Sequence, residues 1–456
     1  MPDSYDLNAL AEAQAAYFRE GNTESLSFRI DRLRGLESIL TRRSDDLLDA
    51  LASDLGKPAV EGYMSEVYFS LLEIRLFLKK LPKWIRPRRA GHPFFALPAR
   101  SWVQREPLGR ALIVSPWNYP LQLALSPLIA AVAAGNTVIL KPSEFASTSA
   151  KLLGEIIAEA FNPQHVAVLQ GGPELGEALL ELPFETCFFT GSERVGRKYA
   201  EAAARNLAPI TLELGGKCPC LVLDDAPLET AVERIIATKF FNAGQTCIAP
   251  DFVLVPEARR GEFVKLAQET LEKYYSEDIE ADLATMIHQD HYERVEKLCD
   301  GSAIQVGEDD KGSLRLAPRL LPEATWNSAA MEEEIFGPVL PILGYTSLDE
   351  TLAELRSRPD PLALYAFTKS REKIDLLLRE TRSGSVCFND TMKQAINLEL
   401  PFGGVGASGM GRYRGKYGFE AFTYERAITK RTFWKDPFFS PPPYGNLIEK
   451  LRKYVK

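Results

Sequence analysis

Histidine is nearly missing from this chain: four residues among 456, at positions 92, 165, 288 and 291. That scarcity leaves little for a Cys-His hydrolase, because none of the four sits in a recognisable catalytic context. His288-x-x-His291 is a lone pair without the cysteines or acidic motif of a zinc site, so a helix surface is the expected reading. Cysteine is sparse as well. Six thiols scattered over the chain make no disulfide framework, and reduced thiols in a cytoplasm are the expectation. Positive charge is in deficit: 54 Lys and Arg against 62 Asp and Glu leave a net charge of -8 and a pI near 5.4. An extended phosphate-binding surface is excluded, and no nucleic-acid partner is expected. Residues 1–20 lack the basic flank and apolar stretch of a secretory signal. No membrane anchor is evident. The tail 446–456 is short and basic, and the charge-free run 111–140 is broken by Pro116, Pro120, Pro127, Gly135 and Asn136.

What the chain does possess is a change of rhythm. Residues 6–19, 27–55 and 60–81 carry apolar positions at helical spacing with charges between them. A Pro- and Arg-rich stretch, 82–98, closes that run, and 101–106 is expected as a strand outside the main core. From residue 110 short apolar runs alternate with helical patterns. Strands are expected at 110–115, 137–140, 166–169 and 186–190, and helices at 121–134, 147–161, 175–181 and 194–206. Such alternation predicts a parallel sheet covered on both faces, the α/β architecture of Rossmann-like cofactor domains. A second α/β series spans 210–389, with strands at 220–223 and 252–255 and a helix at 259–274. A chain of 456 residues exceeds what one core usually holds, so two or three units are expected.

Polar motifs fall where these strands end. Ser115-Pro116-Trp117-Asn118-Tyr119-Pro120 follows the first strand; Asn118 offers a neutral N–H for an oxyanion, or simply a turn before proline. Lys141-Pro142-Ser143-Glu144 follows the second and suits the hydroxyls of a ribose, or a solvated capping loop. Phe189-Thr190-Gly191-Ser192-Glu193-Arg194-Val195-Gly196 passes from strand into helix, one glycine short of the dinucleotide fingerprint. Free N–H groups and the helix dipole there favour a pyrophosphate. Leu212-Glu213-Leu214-Gly215-Gly216-Lys217 sets a carboxylate in an apolar strand, where burial raises its pKa toward that of a general base unless backbone amides hold it. Phe241-Asn242-Ala243-Gly244-Gln245-Thr246-Cys247 puts a thiol near a glycine that permits close backbone approach. Cys187, Cys299 and Cys387 read as small buried apolar residues, and Cys218-Pro219-Cys220 lacks the further ligands of a metal site. Glu332-Glu333-Glu334-Ile335-Phe336-Gly337-Pro338 joins an acidic run to a turn.

Taken together, 115–120, 141–144, 189–196, 212–217, 244–247, 334–338 and Pro401-Phe402-Gly403-Gly404 resemble the aldehyde dehydrogenase superfamily. They stand in the family's order and spread over most of the chain. Residues 244–251 and the tail 401–411 are similar to its class 3 branch.

The resemblance implies a role for each position. Cys247 is the nucleophile, Asn118 with the Cys247 backbone N–H the oxyanion hole, and Glu213 the base that activates water. Lys141 and Glu144 hold the adenosine ribose, Gly191 and Ser192 the pyrophosphate, and Glu334 with Phe336 the nicotinamide ribose. Ser115, Pro116, Trp117, Gly196 and Gly215 complete the cofactor site, and Tyr119 and Phe402 wall the aldehyde tunnel. The cofactor implied is NAD, with NADP as the alternative; no metal is implied. The reaction implied converts a small-molecule aldehyde to its acid through a thiohemiacetal and a thioester. The fold implied has a Rossmann-like cofactor domain (1–100 and 107–213), an α/β catalytic domain (214–405) and oligomerisation strands (101–106 and 423–431). A homodimer follows by family analogy.

Some positions depart from the family pattern. Cys218 replaces a Ser or Asn, Arg414 a His, and Lys393 and Gln394 alter a segment near the pocket, which bears on substrate preference more than on mechanism. Two rival readings are a coenzyme-A-acylating dehydrogenase, which does not need Glu213, and a non-catalytic protein that retains the fold.

Overall fold

The computed structural model describes residues 5–93, 96–275, 278–299, 301–434 and 442–454. The first sheet is built from the apolar runs after residue 110. Its parallel strands lie in the order Val166–Val168, Thr137–Lys141, Arg110–Val114, Thr186–Thr190 and Ile210–Glu213, with Gly409–Met410 added antiparallel at the last edge. The order reverses between Arg110–Val114 and Thr186–Thr190. At such a switch point the loops leave in opposite directions and open a crevice at the carboxyl ends of the strands. Segments 115–120 and 191–192 both start there.

The charge-free run 111–140 forms strand, helix and strand, as expected. Every residue of the helix Gln122–Ala134 is buried, which is why it carries no polar face. Gly135, at φ 98°, ends the helix in the left-handed region. The N-terminal helices pack over it, and Gln14 ties them to the sheet by donating to Val138 O at 2.9 Å.

Two helix boundaries differ from the sequence expectation. The run 27–55 breaks at Arg43 into Leu26–Arg42 and Ser44–Leu55, where Asp45 and Asp46 suit a new helix N-terminus. The run 60–81 contains one widened π turn, Tyr63–Val67, between Ala59–Gly62 and Tyr68–Trp84.

The second sheet follows directly. Its parallel strands are ordered Arg319–Leu321, Val339–Tyr345, Phe252–Pro256, Pro219–Val222, Ala363–Phe367 and Ser385–Phe388, with Ile304–Gln305 antiparallel at the outer edge. Most of these strands are buried on both faces, so their sequences read as apolar runs without alternation.

A third sheet stands apart. Arg88–Ala90, Ala99–Pro107 and Thr423–Arg431 pair antiparallel, and the long pair runs from Thr423 opposite Pro107 to Arg431 opposite Ala99. The expected strand 101–106 is thus longer at both ends, and the expected strand 423–431 forms over its full range.

Candidate active site

A cavity of about 1190 Å³ opens where the carboxyl edge of the first sheet meets the second sheet. It gathers Pro116, Trp117, Asn118, Gly191, Ser192, Glu213, Gly215, Cys247, Glu334, Phe336 and Phe402 onto one surface. Residues as far apart as 116 and 402 meet because each follows or faces a strand end.

Cys247 is carried by a strained turn. Asn242 and Ala243 lie at φ 53° and 52°, and Gly244 at 71°, all in the left-handed region. For the two non-glycine residues this costs about 1–3 kcal/mol each, so the surroundings must impose it. Asn242 Nδ2 donates to Asn118 O at 2.9 Å and Glu61 accepts from Asn242 N at 2.8 Å. Gly244 is obligatory for a second reason: a Cβ there would collide with the Gly337 carbonyl. The thiol itself is pushed up to about 12 by burial, with the Glu334 and Glu213 carboxylates adding to the rise and Arg414 opposing it.

Asn118 is buried, and its Nδ2 donates to Gln245 O at 3.0 Å. Its own carbonyl accepts from Lys57 Nζ at 3.0 Å. Lys57 in turn pairs with Glu66, both side chains fully buried, and Glu66 accepts from Leu121 N at 2.9 Å and Gln122 N at 3.3 Å. Glu66 sits in the π turn. Thus the widened helix turn, the ion pair and the 115–122 segment form one brace behind Asn118.

Glu213 ends the strand Ile210–Glu213, and neither of its carboxylate oxygens has a partner among the described residues. Burial raises it to about 8 against the opposing fields of Arg414 and Arg412. Gly403 lies beside it; a Cβ there would come within 3.0 Å of Glu213 Oε1. Glu334 is likewise raised to about 8, by burial first and then by Asp251. Its carboxylate rests on Gly215, where any Cβ would overlap it. Phe336 holds φ 53° and meets Trp117 edge-on at 5.4 Å.

The remaining expected positions lie around this surface. Ser115 is buried with its hydroxyl unpartnered. Lys141 and Glu144 are paired with each other at 3.1 Å, at the end of the strand Thr137–Lys141 and outside the cavity lining. Gly196 faces Leu214 and Phe189, with space for a Cβ closed at 2.8 Å, so it lets its helix close on the sheet. Tyr119 stands behind the nucleophile: its hydroxyl shares a hydrogen bond of 2.6 Å with Thr246, and Lys57 Nζ lies 4.2 Å from its ring centre.

The surface suits a dinucleotide. The helix Glu193–Arg205 begins at Ser192 with no side-chain cap, leaving its first N–H groups free, and the buried Thr190 and Ser115 hydroxyls have no hydrogen-bond partner among the described residues. The aldehyde dehydrogenase family model matches residues 3–428. The chain belongs to the aldehyde dehydrogenase family.

The 4,4'-diaponeurosporen-aldehyde dehydrogenase of Staphylococcus aureus is 40% identical over 446 residues, covering 97% of each chain. Human aldehyde dehydrogenase family 3 member B1 is 41% identical, over 93% of this chain and 91% of that one. Among solved structures, the substrate-bound state of Staphylococcus aureus AldH superposes with a TM-score of 0.95 at 39% identity, over 99% of this chain and 100% of that one. An NAD-dependent aldehyde dehydrogenase from Sinorhizobium meliloti gives 0.85 at 28% identity, over 95% and 88%. The protein is an oxidoreductase, and its activity is the NAD(P)-dependent oxidation of aldehydes to carboxylic acids.

Sequence reasoning missed several residues of this dehydrogenase. Glu61 and Glu66 belong to a helical stretch that reads only as amphipathic, and Lys57 to the short link before it. His291 is not on a helix surface, as its spacing suggested; it is buried, with Nε2 bonded to Phe336 O at 2.8 Å. His288 instead caps that helix, accepting from His291 N at 3.1 Å. Lys217, at the end of the Glu213 motif, pairs with Asp251 and donates to Ala330 O at 2.7 Å and Glu333 O at 2.8 Å. No metal-ligating cluster occurs among the described residues, nor is any helix there long and apolar enough to cross a membrane.

Proposed function

We propose that Cys247, its thiol proton lost to solvent, attacks the aldehyde carbon as the thiolate, that Asn118 and the Cys247 N–H stabilise the resulting oxyanion, and that Glu213 activates the water that releases the acid. The observation that carries this reading is a buried carboxylate without a partner, Glu213, facing the same cavity as the thiol and the amide. A carboxylate raised to about 8 is a far better base than an exposed one, yet still exchanges protons near neutrality. Asn118 donates without changing charge, so its help does not vary with pH.

Lys141 and Glu144 hold the adenosine ribose; Gly191 and Ser192 the pyrophosphate; Glu334 and Phe336 the nicotinamide ribose. Ser115, Pro116, Trp117, Gly196 and Gly215 shape that cofactor site, and Tyr119 and Phe402 support the aldehyde tunnel. NAD(P), when bound, supplies the hydride acceptor. Loss of hydride to it would leave a thioester on Cys247, which water activated by Glu213 would cleave. Residues 1–100 and 107–213 act as the cofactor domain, 214–405 as the catalytic domain, and 101–106 with 423–431 as the assembly strands of a homodimer. Six cysteines that form no disulfide among the described residues suit a reducing cytoplasm.

The Glu213→Gln variant tests the mechanism. It retains Cys247 and Asn118, so rapid mixing should give one equivalent of NADH per site, then slow turnover. Intact-mass measurement should find the acyl group on Cys247. Absence of the burst would place Glu213 before hydride transfer. Normal steady turnover would remove it from the mechanism, and acceleration of the native enzyme by coenzyme A would then favour the acylating alternative.

A further inference from the structure

The helix Gln289–Glu296 presents two polar side chains to the segment that carries Glu334 and Phe336. His291 Nε2 donates to Phe336 O at 2.8 Å. Arg294 Nη2 donates to Ile335 O, and its Nη1 to Glu334 O at 3.3 Å. The two side chains also meet each other, Arg294 Nη2 lying 3.4 Å from His291 Nδ1. Three consecutive carbonyls are therefore held from one helix face. From the opposite side Asp251 accepts from Ile335 N at 2.9 Å, and Lys217 donates to Glu333 O.

This grip has something to resist. Phe336 occupies the left-handed region at φ 53°, where an aromatic residue is strained by about 1–3 kcal/mol. Left alone, the segment would relax and rotate the Phe336 ring away from Trp117. The His291 ring packs edge-on against Trp117 at 5.6 Å, so the same residue holds the carbonyl and backs the aromatic pair. Burial, then the neighbouring guanidinium, push the imidazole down to about 4. It therefore stays neutral, with Nε2–H pointing at the carbonyl and the Nδ1 lone pair turned to Arg294.

We propose that His291 and Arg294 are positioning residues, which fix the Glu334 carboxylate and the Phe336 ring in the orientation that receives the nicotinamide ribose. The proposal rests on the reading that Glu334 and Phe336 contact that ribose. It assigns the two residues to cofactor geometry and leaves the thiol, amide and base untouched.

The test uses Arg294→Met and His291→Phe, with Arg294→Lys and His291→Gln as variants that keep a donor. NADH affinity is read by fluorescence, and the NADH burst by rapid mixing. Hydrolysis of 4-nitrophenyl acetate serves as a reaction of Cys247 that needs no hydride transfer. Displacing a bound group by about 1 Å can cost about a hundredfold, so a burst slowed tenfold to a hundredfold is expected in the Met and Phe variants. Ester hydrolysis should change by less than threefold, and the donor-keeping variants should recover much of the burst. Equal losses in both reactions would mean general damage and overturn the proposal. Glu334→Gln separates the two levels. If it leaves NADH affinity and burst unchanged, the ribose reading fails. If it slows the burst and Arg294→Met does not, positioning fails. If Arg294→Met costs as much in the Glu334→Gln background as alone, Arg294 acts on the cofactor directly, and the proposal fails too.

Discussion

In the cavity, Glu213 and Glu334 form no ion pair among the described residues, and both are raised to about 8. On the outlying three-stranded sheet, Glu106 accepts from Tyr424 at 2.6 Å and from Arg426 at 3.2 Å, and those bonds hold it below the usual carboxylate range. Arg105 there reaches Glu420 and Glu425 at 3.1 and 3.0 Å. The same side chain is thus left chemically competent in one region and neutralised in the other. Burial without an ion pair stores reactivity; exposed pairing stores little energy, about 0–1 kcal/mol per pair, but gives a patterned surface. On the proposed reading the contrast separates chemistry from assembly, and each half of it can be broken.

The largest effect is expected at the thiol. Cys247→Ala should lower aldehyde oxidation by at least about a thousandfold while NADH affinity measured by fluorescence persists, because the thiol forms the covalent bond and holds no nucleotide. Cys187→Ala, at a buried thiol of the first sheet, should stay active.

Next comes the brace behind Asn118. Lys57→Met leaves Glu66 charged and enclosed, which should cost about 3–5 kcal/mol in urea unfolding, since an uncompensated buried charge has no solvent to relax into. An unchanged midpoint would show that the pair does not hold the brace.

The pH dependence sharpens the cavity half. Only the ionised Glu213 can act as a base, so hydrolysis of the acyl adduct, followed by quench and mass measurement, should rise about tenfold per pH unit below about 8 and level above it. Glu213→Gln should remove that inflection.

A smaller change is expected at Glu144. Its carboxylate accepts from a 2′-OH but repels a 2′-phosphate, so Glu144→Gln should narrow the NAD-to-NADP ratio of kcat/KM by about 3–10-fold. An unchanged ratio would place the residue away from the ribose. The assembly half is tested by Ile428→Asp on the strand Thr423–Arg431, where sedimentation should shift from dimer to monomer and turnover should stay within about threefold. A monomeric native protein would remove the assembly role.

Much of this was legible because it is local. The strand after Gly109 announces itself by a charge-free apolar run, and the helix start at Ser192 by its glycine and its place after a strand. Cys247 and Glu213 could be singled out because each sits in a short motif with an unusual neighbour. The braces were not legible. Lys57 reaches Asn118 across 61 positions, and His291 reaches Phe336 across 45. Lys57 stands between two helical stretches and His291 within one; neither neighbourhood marks a brace, and only the packed fold decides what turns inward. The break at Arg43 escaped for a related reason: apolar spacing continues through it, while the helix after it, Ser44–Leu55, turns to pack on the helix Ser147–Ala160.

The Gly244 turn deserves a last comparison with its neighbours. Its missing side chain is filled by the Gly337 carbonyl, and Gly337 is itself closed off by Val295 Cγ1, which would lie 2.7 Å from any added Cβ. Two backbones and a valine are therefore stacked without a spare methyl between the nucleophile turn, the Glu334–Phe336 segment and the helix Gln289–Glu296. In the terms of sequence drift, these positions cannot vary one at a time. A larger residue at 244 or 337 is refused by the layer above it, and enlarging Val295 presses on Gly337. The thiol and the segment opposite it are thus obliged to change together or remain as they are.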